Sequence, residues 1–175
     1  DRGCGMMGLD WRERLVEDLG GENGMARLRA RETLAAIGEP ALDSLVGLLG
    51  SPEPRLRWEA AKALTEIPEP AAIPGLVALL GDRGSDIRWL AAVALINLGT
   101  RSVPPVLKAL TKNAESRPFR EASHHVLKDL AARNGVLLEI LKPVLDVLDD
   151  TAPDAGVVAS RAQAALQALR ALSDG

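Results

Sequence analysis

Arg57-Trp58-Glu59-Ala60-Ala61-Lys62-Ala63-Leu64-Thr65-Glu66-Ile67 returns in a close variant as Arg88-Trp89-Leu90-Ala91-Ala92-Val93-Ala94-Leu95-Ile96-Asn97-Leu98, 31 residues further along the chain. A fixed period between about 20 and 50 residues marks an array of stacked units, none of which buries its apolar face alone. In the first copy Leu56, Ala60, Ala63, Leu64 and Ile67 fall at i, i+4, i+7, i+8 and i+11, and Ile87, Ala91, Ala94, Leu95 and Leu98 repeat the set. That spacing is one apolar stripe on a helix. Alanines between leucines keep helix propensity high and let a neighbouring helix come close. Each copy is therefore expected to be one layer of a stack.

The composition agrees with a soluble domain: 175 residues, 47% hydrophobic and 26% charged. Aromatic residues make up 2% and tyrosine is absent, which argues against a β-sandwich or barrel, whose strands draw on aromatic and β-branched side chains. A net charge of −3 leaves no electrostatic footprint for nucleic acid or an anionic membrane. No apolar run approaches the ~18 residues of a membrane span, and no charged head precedes an apolar signal core. The single cysteine, Cys4, has no internal disulfide partner, which fits a reducing cytoplasm. It also has no base or motif beside it and is not expected to act as a nucleophile.

Residues 1–8, with Met6 and Met7, show no periodicity and are expected to be a disordered leader, with a native start at either methionine. From there one domain, 9–174, divides into helix pairs at about 9–38, 39–68, 69–99, 100–131 and 136–172. Gly20-Gly21 and Gly38 read as helix stops, and Gly50-Ser51-Pro52 as a stop, an N-cap and a first-turn proline. The first helices align through Leu15-Val16, Leu45-Val46, Leu76-Val77, Val106-Leu107 and Val144-Leu145, at offsets of 30, 31, 30 and 38. Short connections suit antiparallel neighbours.

The pattern Leu/Ile-Arg-x-x-Ala-Ala-x-Ala-Leu-x-x-Ile/Leu, then Pro or Gly, then a helix with Pro105-Val106-Leu107, resembles the short HEAT-like repeats of the phycobilisome-lyase type. The likeness covers about 10–172 and is closest in the second and third pairs; in the first pair Arg31 replaces an alanine. It implies an all-α fold, a right-handed α-solenoid of five HEAT-like pairs whose second helices line a concave groove. Position by position, that groove would hold Leu28, Arg29, Glu32 and Ala36, then Trp58, Glu59, Lys62 and Glu66, then Trp89, Leu90, Val93 and Asn97. Glu121, Ala122, His125 and Asp129 follow, and finally Ser160, Arg161, Ala164 and Ala168. All lie off the apolar stripe.

Trp58 and Trp89 share a repeat position and, with Leu90 and Val93, are expected to form an apolar patch of the kind that anchors partners. The competing expectation is that each tryptophan folds over its neighbouring layer and seals it. Glu121, His125 and Asp129 fall at i, i+4 and i+8, with Glu66 and Asn97 of other layers at the row of Asp129. Such carboxylates suit a basic peptide; the alternative is an ordinary solvated face. His124 and His125 point about 100° apart on a helix and cannot readily share one ion. Glu121-x-x-His124 has the spacing of half a di-iron motif, and the HEAT-like enzyme deoxyhypusine hydroxylase uses repeated His-Glu pairs, a dipeptide this sequence lacks. His124 stands where the repeat wants alanine and is expected to pack between helices.

Asp82 lies six residues before Arg88, the spacing of the Asp-Arg pairs that tie HEAT-like layers together. Ser51 and Gly21 hold that place before Arg57 and Arg27, so an incomplete ladder is expected. Four classes fit such an array: an interaction module, a lyase-type enzyme subunit, a DNA-binding protein and pure structure. The groove positions hold Arg29, Lys62 and Arg161 against Glu32, Glu59, Glu66, Glu121 and Asp129, the wrong balance for phosphates. No nucleophile, base and metal set converges. The expectation is a non-catalytic module that binds a protein partner's peptide or helix, without cofactor, metal, nucleic acid or membrane, as a cytoplasmic monomer.

Overall fold

The structure, a computed structural model, describes residues 11–173; the expected leader at 1–8 and Cys4 lie outside them. Among the described residues there are ten α-helices and no strand. They are α1 (Trp11–Gly20), α2 (Gly24–Ile37), α3 (Glu39–Leu48), α4 (Pro54–Leu64), α5 (Ile73–Leu79), α6 (Ser85–Asn97), α7 (Val103–Asn113), α8 (Arg117–Ala132), α9 (Gly135–Leu148) and α10 (Ala155–Ser173). Single 3₁₀ turns at Pro70–Ala72 and Gly99–Ser102 lead into α5 and α7.

Local chemistry sets these starts. The Asn23 side chain accepts from the backbone N–H of Met25 and Ala26, Ser116 from Phe119, and Asn134 from Leu137, so each satisfies donors that a first helical turn leaves open. Prolines stand in the first turns of α3, α4, α5, α7 and α8, where a missing N–H does no harm. Between α2 and α3 the chain passes through Gly38 alone, at φ 69°, a conformation that suits glycine.

The even helices form one row: α4 packs between α2 and α6, and α6 against α8. Odd helices form the other, α5 beside α7. Between the rows lies a continuous core of Leu19, Leu34, Leu45, Leu64, Leu76, Leu95, Leu107 and Leu127, all fully buried. The expected stripes are in it, with Leu56 at its edge.

Burial on α6 is wider than a stripe. Ala92 and Ile96 are buried beside the expected residues, and so is Leu90, at 9% exposure, which therefore leaves the expected groove patch. The reason is the stack itself: α6 is covered by α4, α5 and α8 on different sides. The equivalent position in α4 is Glu59, at 4% exposure, buried rather than lining a groove.

The Asp-Arg ladder is incomplete, as Ser51 and Gly21 imply, yet four of the repeat arginines are anchored in one and the same way. Nη1 of Arg27 donates to Gly21 O (2.8 Å), of Arg57 to Ser51 O (2.9 Å), of Arg88 to Asp82 O (2.8 Å) and of Arg120 to Ala114 O (2.6 Å). The acceptor is always the backbone carbonyl six residues earlier, which any residue supplies. The Asp82 side chain serves a different bond, between layers: Arg57 Nε approaches its Oδ2 at 2.7 Å. Burial alone would raise the Asp82 pKa, but the Arg57 hydrogen bond, the Gly84 N–H and the charges of Arg57 and Arg88 together hold it below its usual value.

The last two helices reverse the order of the pair. α9 lies along α8, in the even row, and α10 along α7, in the odd row. Ser160, Arg161, Ala164 and Ala168 therefore do not continue the face of α8, as expected, but sit on a helix packed against α7 and α9. From one pair to the next the chain earlier passes from the even to the odd row, through Gly38 or into a 3₁₀ turn, whereas Arg133 and Asn134 link α8 to α9 with no change of row.

Candidate functional site

Trp89 projects from the second turn of α6 with 57% of its surface exposed. It does not wave freely. Its ring stacks on His125 of α8, centroids 4.8 Å apart and planes 23° from parallel, an offset-stacking geometry that fixes orientation and adds about 0.5–1.5 kcal/mol to area burial. Between the two helices lies a cleft of about 310 Å³, bounded by Ser85, Arg88, Trp89, Ala92, Pro118, Glu121, Ala122 and His125. The carboxylate of Glu121 is held only by an exposed ion pair with Arg117 at 2.7 Å, an interaction worth roughly 0.3–0.5 kcal/mol and easily exchanged for a partner's cation. An aromatic face, an imidazole and an available carboxylate thus meet in one place.

The other expected residues are dispersed. Trp58, the repeat equivalent of Trp89, is half-buried against the core, and the Arg31 guanidinium lies 5.7 Å from its ring centroid. Arg31 also pairs with Glu59 (2.6 Å), whose second oxygen takes Arg27 Nε at 3.3 Å. Trp58 and Glu59 thereby join α2 to α4. Lys62 and Val93 are half-buried. Of the expected patch of Trp58, Trp89, Leu90 and Val93, only Trp89 is exposed.

Nor do the acidic residues act as one cluster. Asp129 is paired with Arg133 at 2.6 Å, Glu121 with Arg117, and His125 is taken up by Trp89. Glu66 and Asn97 line a separate recess of about 530 Å³ with Ile96, Leu130 and Arg133, near the ends of α4, α6 and α8. There Asn97 Nδ2 donates to Thr65 O at 2.8 Å, tying two layers. Arg117 and Arg133 are the residues that the sequence reading passed over. Their signal was present: 117, 121, 125, 129 and 133 form an unbroken i, i+4 series, with cations at both ends.

His124 is packed as expected. Its Nε2 lies 3.3 Å from Asp149 Oδ1, and Lys128 Nζ is 3.2 Å from the same oxygen. Burial pushes its pKa below the usual value against the pull of Asp149, with Lys128 and His125 adding to the lowering. Among the described residues no group of three or more His, Cys, Asp and Glu side chains could hold a metal ion, and no described helix is long and apolar enough to cross a membrane.

No curated protein matches the chain. The profile of the HEAT repeats matches twice, at residues 12–96 and 47–128, together about two thirds of the 175 residues. HEAT repeats generally mediate protein–protein interaction or scaffolding. With its two helical rows, its carbonyl-capped arginines and a repeat unit of about 31 residues, the chain belongs to the HEAT repeats family.

Proposed function

We propose that this protein is a non-catalytic interaction module and that a partner's peptide or helix docks in the cleft between α6 and α8. The observation that carries the reading is Trp89, a large aromatic left open to solvent yet held rigid by His125. Rigid, exposed aromatics give contact area at little entropic loss, and they dominate the binding energy of many interfaces. Glu121 beside the ring favours a partner segment that carries Arg or Lys, whose cation meets both the ring face and the carboxylate.

The test is affinity capture with the wild type beside Trp89→Ala and Trp58→Ala, the retained protein then titrated by calorimetry. Trp89→Ala should weaken binding about 10- to 100-fold, the loss of a typical anchor, while melting stays cooperative and close to wild type. Trp58→Ala should lower the melting temperature instead. Retention undiminished by Trp89→Ala would reject the cleft. We also propose a cytoplasmic monomer, on the lone cysteine and near-balanced charge; a light-scattering mass of twice 18.5 kDa, or recovery with membranes, would reject it.

A further inference from the structure

Charge is unevenly distributed over the two rows. The chain as a whole has 24 carboxylates against 21 Lys and Arg. Yet α7, the 3₁₀ turn before it and α10 carry Arg101, Lys108, Lys112, Arg161 and Arg170 and no Asp or Glu at all. The carboxylates nearest to α10 in sequence are Asp154 before it and Asp174 after it. Among the described residues neither Lys108 nor Arg170 has an ion pair, so both cations are open to a partner's carboxylates.

These helices also leave a groove. The N-terminal half of α7 lies beside the C-terminal half of α10, and between them is an open space of about 610 Å³ walled by Pro104, Pro105, Leu166 and Leu169. Lys108 stands on one wall and Arg170 on the other. Leu172, 60% exposed, extends the apolar surface past the groove's end. Pro104 and Pro105 have no backbone N–H, and their carbonyls accept within helix α7, so an extended strand could not be read there by main-chain bonds. Side chains must do the reading. An amphipathic helix satisfies that geometry: its apolar ridge enters the groove, and carboxylates flanking the ridge reach a cation on either side.

We propose that the groove between α7 and α10 is a second docking site, for an acidic amphipathic helix of a partner protein. It is separate from the Trp89 cleft and does not depend on it.

A phage-displayed library of helix-forming peptides, with apolar residues at i, i+3, i+4 and i+7 and random flanks, tests it by selection on the wild type and counter-selection on Lys108→Glu/Arg170→Glu. Both substitutions lie at exposed positions and should leave the melting curve unchanged; Lys108→Gln/Arg170→Gln serves if charge reversal disturbs folding. Clones kept by the wild type and lost on the variant are expected to carry more Asp and Glu than Lys and Arg. A synthetic peptide of the enriched sequence should bind the variant at least about 10-fold more weakly, lose affinity as salt rises from about 0.05 to 0.5 M, and bind Trp89→Ala normally. The proposal is overturned if no clone separates the two proteins, or if the separating clones are neutral or basic. It is also overturned if phosphatidylserine vesicles retain the wild type but not the variant while no peptide discriminates, which would give the face to lipid.

Discussion

Trp58 and Trp89 occupy the same place in consecutive repeats, and what differs is the residue each finds across the helix interface. Trp89 meets the ring of His125 and stays exposed, whereas Trp58 meets Arg31, which stands where the repeat usually has alanine. Arg31 therefore has two roles, covering Trp58 and neutralising the buried Glu59. Leaving a buried carboxylate short of a partner is expensive, but Arg27 remains 3.3 Å away. Arg31→Ala should accordingly destabilise by about 2–3 kcal/mol, under the 3–5 kcal/mol of a wholly orphaned charge. A double-mutant cycle with Glu59→Ala, read in urea melts, should give a coupling of about 1–3 kcal/mol; additive single effects would show the pair to be incidental. Arg31 was visible in the sequence as a departure from the repeat, and Glu59 as a charge. Their pairing was not, because the partners are 28 residues apart and meet only when layers stack.

At the scale of elements, periodicity within one helix is local information, so all ten helices could be read before any packing was known. The width of the buried face could not. It depends on how many neighbours a helix has, and α6 with α4, α5 and α8 around it hides Leu90 as well as its stripe. Two glycines make this difference measurable. Gly47 in α3 has open space where a Cβ would go, so Gly47→Ala should stabilise by about 0.5–1 kcal/mol through helix propensity. Gly75 in α5 would place a Cβ 2.6 Å from Leu49 Cδ1 and 3.3 Å from its Cβ, and Leu49 is buried. Overpacking of about 1–3 kcal/mol should then outweigh the same gain. Thermal melts should move in opposite directions, by about 2–4 °C per kcal/mol in a chain of this size. A rise for Gly75→Ala would mean that α5 can slide away from Leu49.

For the molecule as a whole, acid should weaken the array in two separate windows. Because the folded-state pKa of His124 is depressed below 6.5, the unfolded chain binds a proton first as pH falls past that value, and stability declines until the folded ring also titrates. Carboxyls held low in the folded state, Asp82 by its outweighing partners and Glu22 by its hydrogen bond to Arg55, act later. Their contribution is intact above the ordinary carboxylate range and is lost as pH falls through their folded values. Melting temperature should thus drop between about pH 7 and 5 in the wild type and stay flatter in His124→Gln, both proteins falling together below about pH 4. An unchanged slope in His124→Gln would exclude the histidine as the cause. By itself the sequence determined the repeat, the helices and the stripe each helix buries, because helix periodicity and capping act over a few residues. Only the tertiary structure decided which copy of a repeat position faces solvent and which carbonyl each arginine finds. It also decided that α9 and α10 exchange rows. These depend on residues a full layer or more away, and no local pattern specifies which of them will be neighbours.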